Sequence, residues 1–88
     1  MKYIMFYETA PDGLEKAHLH FPAHRARLDL FHAAGTLLMA GPLMNPMDGA
    51  IGVFTTREAA VEFMREDPFI LNGVVSKSSV REWNEVLA

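Results

Sequence analysis

The pattern of apolar and polar positions divides the chain into strand-like and helix-like segments. Continuous or alternating apolar residues predict four β-strands, at residues 3–7, 36–43, 51–56 and 74–83. Apolar residues at helical spacing predict two amphipathic helices, at 22–34 and 57–67. Short helical turns are predicted at 14–20 and 68–73. The predicted order of the main elements is therefore β-α-β-β-α-β.

Residues with strong positional preferences define the predicted helix ends. Pro22 suits the first turn of a helix, where its missing N–H breaks no hydrogen bond, so the first helix is predicted to begin there. Gly35 suits the left-handed position just after that helix. Thr56 is the predicted N-cap of the second helix, and Asp67-Pro68 is predicted to end it, with Asp67 free to cap the turn that follows.

This order of elements predicts an α+β, ferredoxin-like fold, in which an antiparallel four-stranded sheet carries both helices on one face, as a single domain over residues 1–88. On the first strand Tyr3, Met5 and Tyr7 point one way, and Ile4 and Phe6 point the other. Neither set of side chains is suited to contact with water. Because the helices cover only one face, the other face is predicted to pack against a second copy, giving a homodimer or a higher homo-oligomer.

Composition narrows the class of protein. The 88 residues are 50% hydrophobic with a formal net charge of −3, so the chain offers no basic surface for nucleic acid. The absence of cysteine favours a reducing compartment. The apolar run near the N-terminus is too short for a signal peptide or a membrane span. We therefore expect a cytoplasmic domain with no nucleic-acid or membrane partner.

His24 is the first candidate for chemistry, because it occupies the apolar stripe one turn before Leu28. In the first turn of a helix beginning at Pro22, the positive end of the helix dipole would favour the neutral ring. A neutral imidazole can act as a general base, and a carboxylate such as Asp67 would orient it and stabilise the imidazolium. The alternative is structural: His24 bonds a backbone carbonyl at the edge of the core, and Asp67 only caps a helix.

Several short motifs follow one another in a recognisable order: His24 with Leu28, Gly35, Gly41-Pro42, Asp67-Pro68-Phe69 and Gly73. On these motifs the chain, from Tyr3 to about Trp83, resembles the YCII-related (YciI-like) family of small dimeric α+β barrel proteins. The resemblance implies that His24 and Asp67 correspond to the active-site pair proposed for that family. It also implies a fold shared with muconolactone isomerase-like enzymes. Within the family that the chain resembles, one branch eliminates chloride from a chlorinated hydroxyhydroquinone.

The chain departs from the family pattern at Phe21, where members often carry arginine, and at Arg25, where leucine is common. Arg27 is a candidate replacement for that arginine in binding a carboxylate or phenolate, and the alternative is an ordinary solvated helix position. The remaining predicted substrate-binding residues, taken as walls of a pocket, are Phe21, Met39, Gly41, Pro42 and Phe69.

These observations predict a small enzyme that binds a small cyclic or aromatic molecule and moves a proton through His24, in an isomerisation or an elimination such as dehalogenation. Proton transfer of this kind needs no cofactor. The alternative is a non-catalytic module that binds a small ligand or a partner protein. A metal site on His18, His20 and His24 is not expected, because Pro22 is predicted to interrupt the helix and no cysteine or acidic third ligand is evident.

Overall fold

The computed structural model describes residues 1–88 and contains four β-strands and three α-helices. Their bounds are β1 Lys2–Thr9, α1 Gly13–Ala33, β2 Leu37–Pro42, β3 Gly49–Phe54, α2 Arg57–Arg65, α3 Pro68–Leu71 and β4 Val75–Trp83. Each predicted strand is present, with ends shifted by a few residues. α2 begins at the predicted residue, and α3 is the short helical turn predicted after Asp67.

The four strands form one sheet in the order β2-β3-β1-β4, and each neighbouring pair is antiparallel. The two central strands, β1 and β3, are separated in sequence by α1 and β2, so the sheet is assembled from distant parts of the chain. This topology confirms the predicted α+β, ferredoxin-like fold.

Alternation along β1 distributes its side chains between the two faces of the sheet. Met5 and Tyr7 are buried on the inner face, beneath the helices, and belong to a core that includes Phe54 and Phe63. Removing each of these phenylalanines from water contributes about 1.5–3 kcal/mol. Phe6 lies on the opposite face and is 40% exposed. The predicted separation of the two faces is therefore observed.

The prediction that the first helix begins at Pro22 is wrong, because α1 begins at Gly13 and continues through Pro22 to Ala33. A proline inside a helix removes the bond from its own nitrogen to the carbonyl four residues earlier, here that of His18, and costs about 3 kcal/mol. Both residues are exposed, so water can hydrate the released carbonyl. His24 therefore lies in the middle of α1, and the helix dipole does not account for a neutral ring there.

The other predicted helix ends are confirmed. Gly35 follows α1 with φ of 83°, and the amide of Thr36 donates to the carbonyl of Phe31 at 3.2 Å, which closes the helix with a left-handed glycine. The Thr56 hydroxyl accepts from the amide of Ala59 at the start of α2. These local contacts fix the end of α1 and the start of α2.

Candidate active site

Asp67 lies at the junction between α2 and α3, where its carboxylate caps α3 by accepting from the amide of Phe69 at 3.1 Å. Pro68 occupies the first turn of α3, where proline is favourable. The Asp67 side chain is completely buried, with 0% of its surface exposed. A buried carboxylate is costly unless hydrogen-bond donors surround it, so further donors are expected near its oxygens.

His24 supplies the second of these donors, across 43 residues of sequence. Its Nδ1 lies 2.7 Å from Asp67 Oδ1, so the packing of α1 against α3 brings the two predicted catalytic residues together. A carboxylate oxygen can only accept, which assigns the proton of a neutral His24 ring to Nδ1. The other ring nitrogen, Nε2, then carries the free lone pair. The arrangement has the geometry of a general base held by a carboxylate.

Tyr7 is a third member of this cluster, and the sequence analysis did not identify it. Its hydroxyl donates to Asp67 Oδ2 at 2.5 Å. Burial, followed by this hydrogen bond and by the negative charge of Asp67, raises the pKa of the Tyr7 hydroxyl far above its usual value. The hydroxyl therefore stays protonated and donating. The available signal was the alternation of β1, which assigns Tyr7 to the inner face, where a buried hydroxyl requires a partner.

Aromatic rings fix the orientation of the His24 imidazole. Phe69 stacks on it at a centroid distance of 3.8 Å and an interplanar angle of 6°. Phe63 contacts it edge-on at 6.2 Å, and Phe21 lies tilted to it at 6.3 Å. Only 9% of the residue is exposed. Because Asp67 and Phe69 are held by the same turn, one short segment orients the imidazole both through a hydrogen bond and through a stacking contact.

A cavity of about 550 Å³ lies between α1 and the inner face of the sheet, and His24 and Tyr7 are part of its wall. Sixteen of its 24 lining residues are hydrophobic, as is typical of sites for small organic molecules. Of the pocket residues predicted from the sequence, the wall lacks only Arg27. It includes Phe21, Met39, Gly41, Pro42 and Phe69. The site is thus a hydrogen-bonded His–Asp pair at the edge of an apolar cavity.

Arg27 is not part of this wall, which corrects the idea that it replaces a family arginine at the site. Its Nε donates to the carbonyl of Phe63 at 2.9 Å, and one terminal nitrogen donates to the carbonyl of Glu62 at 2.7 Å. The guanidinium also lies 4.9 Å from the centre of the Phe31 ring. Arg27 therefore satisfies carbonyls in the last turn of α2, where a cation is favourable, and joins α1 to α2.

The histidines of α1 do not assemble into a metal centre: no three His, Asp or Glu side chains lie together in a ligand arrangement. The expected interruption of the helix at Pro22 is not observed, because α1 is continuous and His20 and His24 are one turn apart on it. His24 directs its Nδ1 at Asp67 instead.

No helix is both long enough and apolar enough to cross a membrane.

The fold and the site define a small α+β protein with a buried His–Asp pair at an apolar cavity. Residues 1–84 match the YCII-related domain, and the chain belongs to this family. It is 36% identical to "Protein YciI" of Escherichia coli O6:H1 over 97 aligned positions, which cover 98% of this chain and 99% of that protein. It is 30% identical, with the same coverage, to an uncharacterised protein of Haemophilus influenzae.

Among solved structures, the chain is similar to 5-chloro-2-hydroxyhydroquinone dehydrochlorinase (TftG) from Burkholderia phenoliruptrix AC1100, in complex with 2,5-dihydroxybenzoquinone. The TM-score is 0.79 at 20% sequence identity, with 96% of this chain and 94% of that chain covered. At this identity the similarity shows a shared fold.

Proposed function

We propose that the protein is a small enzyme in which His24 is the general base and Asp67 orients it. The reaction is a proton transfer, either an isomerisation or an elimination such as dehalogenation, on a small cyclic or aromatic molecule bound in the cavity. The observation that carries the proposal is the 2.7 Å contact between His24 Nδ1 and Asp67, since it leaves Nε2 of a cavity-lining imidazole as the available base.

The chemistry follows from the two ring nitrogens. Nε2 of His24 removes a proton from a carbon of the substrate, and the electrons of that C–H bond form a new double bond. In an elimination, the halide leaves with the electron pair of the carbon–halogen bond, and the imidazolium then releases its proton to water. In an isomerisation, an existing double bond of the substrate shifts, and the imidazolium returns the proton to another carbon. The negative charge of Asp67 stabilises the imidazolium between the two steps. Each step balances with the substrate, the two side chains and water.

Two further features support this function. The cavity wall is largely apolar, and an apolar wall strengthens each electrostatic interaction by limiting contact with water. In addition, the solved structure of similar fold is that of an enzyme named as a dehydrochlorinase, with a quinone as its ligand. That molecule indicates where a search for substrates should begin.

The test compares the wild type with His24→Asn, whose amide can still donate to Asp67 but offers no base. Release of chloride from 5-chloro-2-hydroxyhydroquinone is followed under argon, and deuterium uptake from D2O is followed by NMR for a set of lactones and cyclic enol acids. We expect the substitution to lower turnover about 10²–10⁴-fold, the usual contribution of a general base. His18→Asn is the matched control, because His18 is an exposed histidine on the same helix and lies outside the cavity wall.

Turnover by His24→Asn at the wild-type rate would contradict the assignment of the base. If instead no compound were turned over, while 2,5-dihydroxybenzoquinone bound and raised the melting temperature, a non-catalytic binding module would explain the cavity better. The melting temperatures of both variants are measured alongside, because a loss of folding would imitate a loss of the base.

We also propose that the active form is a homodimer in which two sheets pack through their outer faces. The register pairs Ile4 with Val53 and Phe6 with Ile51, which forms an apolar row on that face. Trp83, on the same face of β4, is 47% exposed. Sedimentation is expected to show a dimer for the wild type and a monomer for Phe6→Glu, with Leu71→Glu on α3 as the control. A monomeric wild type would refute the proposal.

A further inference from the structure

Arg25 is the one lysine or arginine in the wall of the cavity. It follows His24 directly on α1, and both side chains line the same space. The rest of the wall is mainly apolar, with Asp29 as the one acidic member. The wall therefore includes a permanently charged guanidinium next to the candidate base, paired with Asp29.

The contacts of Arg25 leave most of its hydrogen-bonding capacity free. Asp29 accepts from Nε at 3.1 Å, one turn along α1, and engages neither terminal amino group. Both side chains are more than 60% exposed, at 62% and 63%. Ion pairs of this kind contribute only about 0.3–0.5 kcal/mol to stability, so the fold does not depend on Arg25. Arg27, two residues later, differs because backbone carbonyls of α2 occupy its Nε and a terminal nitrogen.

We propose that Arg25 recognises an anionic group of the substrate, and that the substrates are therefore acidic ring compounds carrying a carboxylate or an ionised phenol or enol. This assignment rests on the proposed function of His24, since it places the acidic group next to the carbon that loses its proton. The planar guanidinium can offer two parallel N–H groups to such an anion. Asp29 accepts only from Nε, so both terminal amino groups of Arg25 can donate to such an anion.

The test measures binding of two ring compounds that differ in charge. The acidic probe is 2,5-dihydroxybenzoquinone, and the neutral probe is 2,5-dimethoxybenzoquinone, in which both acidic hydroxyls are methylated. Calorimetry is performed on wild type, Arg25→Gln, Arg25→Lys and Arg65→Gln. Arg65 is the matched control, because it is also an exposed helical arginine paired with an acid, Glu62 at 2.8 Å, and lies outside the cavity.

We expect Arg25→Gln to weaken binding of the acidic probe about 10–100-fold and to leave the neutral probe unchanged, as the loss of a charge-assisted pair requires. Arg25→Lys retains part of the affinity, and Arg65→Gln retains all of it. Added salt weakens binding of the acidic probe to wild type more than to Arg25→Gln. The melting temperature of Arg25→Gln stays close to that of wild type, which separates recognition from a structural role.

Equal affinity of wild type and Arg25→Gln for the acidic probe would overturn the assignment, as would an equal loss for both probes. Failure of wild type to bind the acidic probe, benzoate and 2-hydroxybenzoate would overturn it as well. Failure of the proposed catalysis is distinguishable, because His24→Asn would then leave turnover unchanged while the effect of Arg25→Gln on binding persists.

Discussion

The carboxylate of Asp67 accepts hydrogen bonds from three parts of the fold, and its replacement provides a quantitative test of this cluster. Asp67→Ala leaves the Tyr7 hydroxyl, the His24 Nδ1–H and the Phe69 amide without their acceptor. Asp67→Asn is the matched variant. Its carbonyl oxygen can accept from His24 and Phe69, and its amide can donate to the Tyr7 hydroxyl, which is able to accept.

The expected loss for Asp67→Ala follows from these three contacts. A hydrogen bond to a charged group contributes about 1.5–3 kcal/mol, so the three together set an upper bound of roughly 4.5–9 kcal/mol. Tyr7, His24 and Phe69 all border the cavity, so water can recover part of this energy. Removal of a buried charge also relieves its desolvation. We therefore expect a loss of about 2–4 kcal/mol for Asp67→Ala and a change within about 1 kcal/mol for Asp67→Asn.

Urea unfolding at neutral pH, followed by tryptophan fluorescence and circular dichroism, measures these differences. With an m-value of about 1–2 kcal/mol/M, the midpoint of Asp67→Ala falls by about 1–4 M, and that of Asp67→Asn stays close to wild type. Because domains are stable by only roughly 5–15 kcal/mol, the first change is easily resolved. Equal midpoints for Asp67→Ala and wild type would refute the three-donor cluster, and an equal fall for both variants would refute the claim that asparagine preserves its bonds.

Two further substitutions test the environment of the site and the course of α1. Tyr7→Phe changes how the free energy of unfolding depends on pH above about pH 10. Because burial raises the pKa of Tyr7, the unfolded chain loses this proton there while the folded chain keeps it. The stability of the wild type therefore falls by about 1.4 kcal/mol more per pH unit than that of Tyr7→Phe. Parallel urea midpoints for the two proteins from pH 8 to pH 11 would contradict this. Pro22→Ala restores a hydrogen bond inside an exposed stretch of α1 and is expected to raise stability by up to about 3 kcal/mol. A lower midpoint would show that the proline ring makes contacts that the helix needs.

Local patterns in the sequence were sufficient for the strands and for three helix ends. The alternation along β1 depends only on neighbouring residues. The same holds for three residues at helix ends, Gly35, Thr56 and Asp67, whose capping contacts lie within a few positions in the sequence. Pro22 shows the limit of this reasoning. The local preference of proline for the first turn of a helix did not decide where α1 begins, because the helix starts nine residues earlier, at Gly13.

The candidate site was only partly predictable, because its members are far apart in sequence. No periodicity connects His24 with Asp67: the chemistry of the two side chains and the family resemblance suggested the pair, and spacing did not. Tyr7 escaped notice because a tyrosine on a buried strand also suits an ordinary core. Arg27 was misplaced because a helical wheel gives the face of a side chain and not its partner, here two carbonyls of α2.

The choice of aspartate over asparagine at position 67 points to function more than to stability. Asparagine caps helices as well as aspartate does, and here it could keep all three hydrogen bonds without burying a charge. What asparagine lacks is a negative charge beside the imidazole. That charge contributes little while His24 is neutral, and it stabilises the ring once Nε2 has taken a proton. Asp67→Asn should therefore lower turnover while leaving the fold intact, so the buried charge has its main effect in the step that the proposed reaction requires.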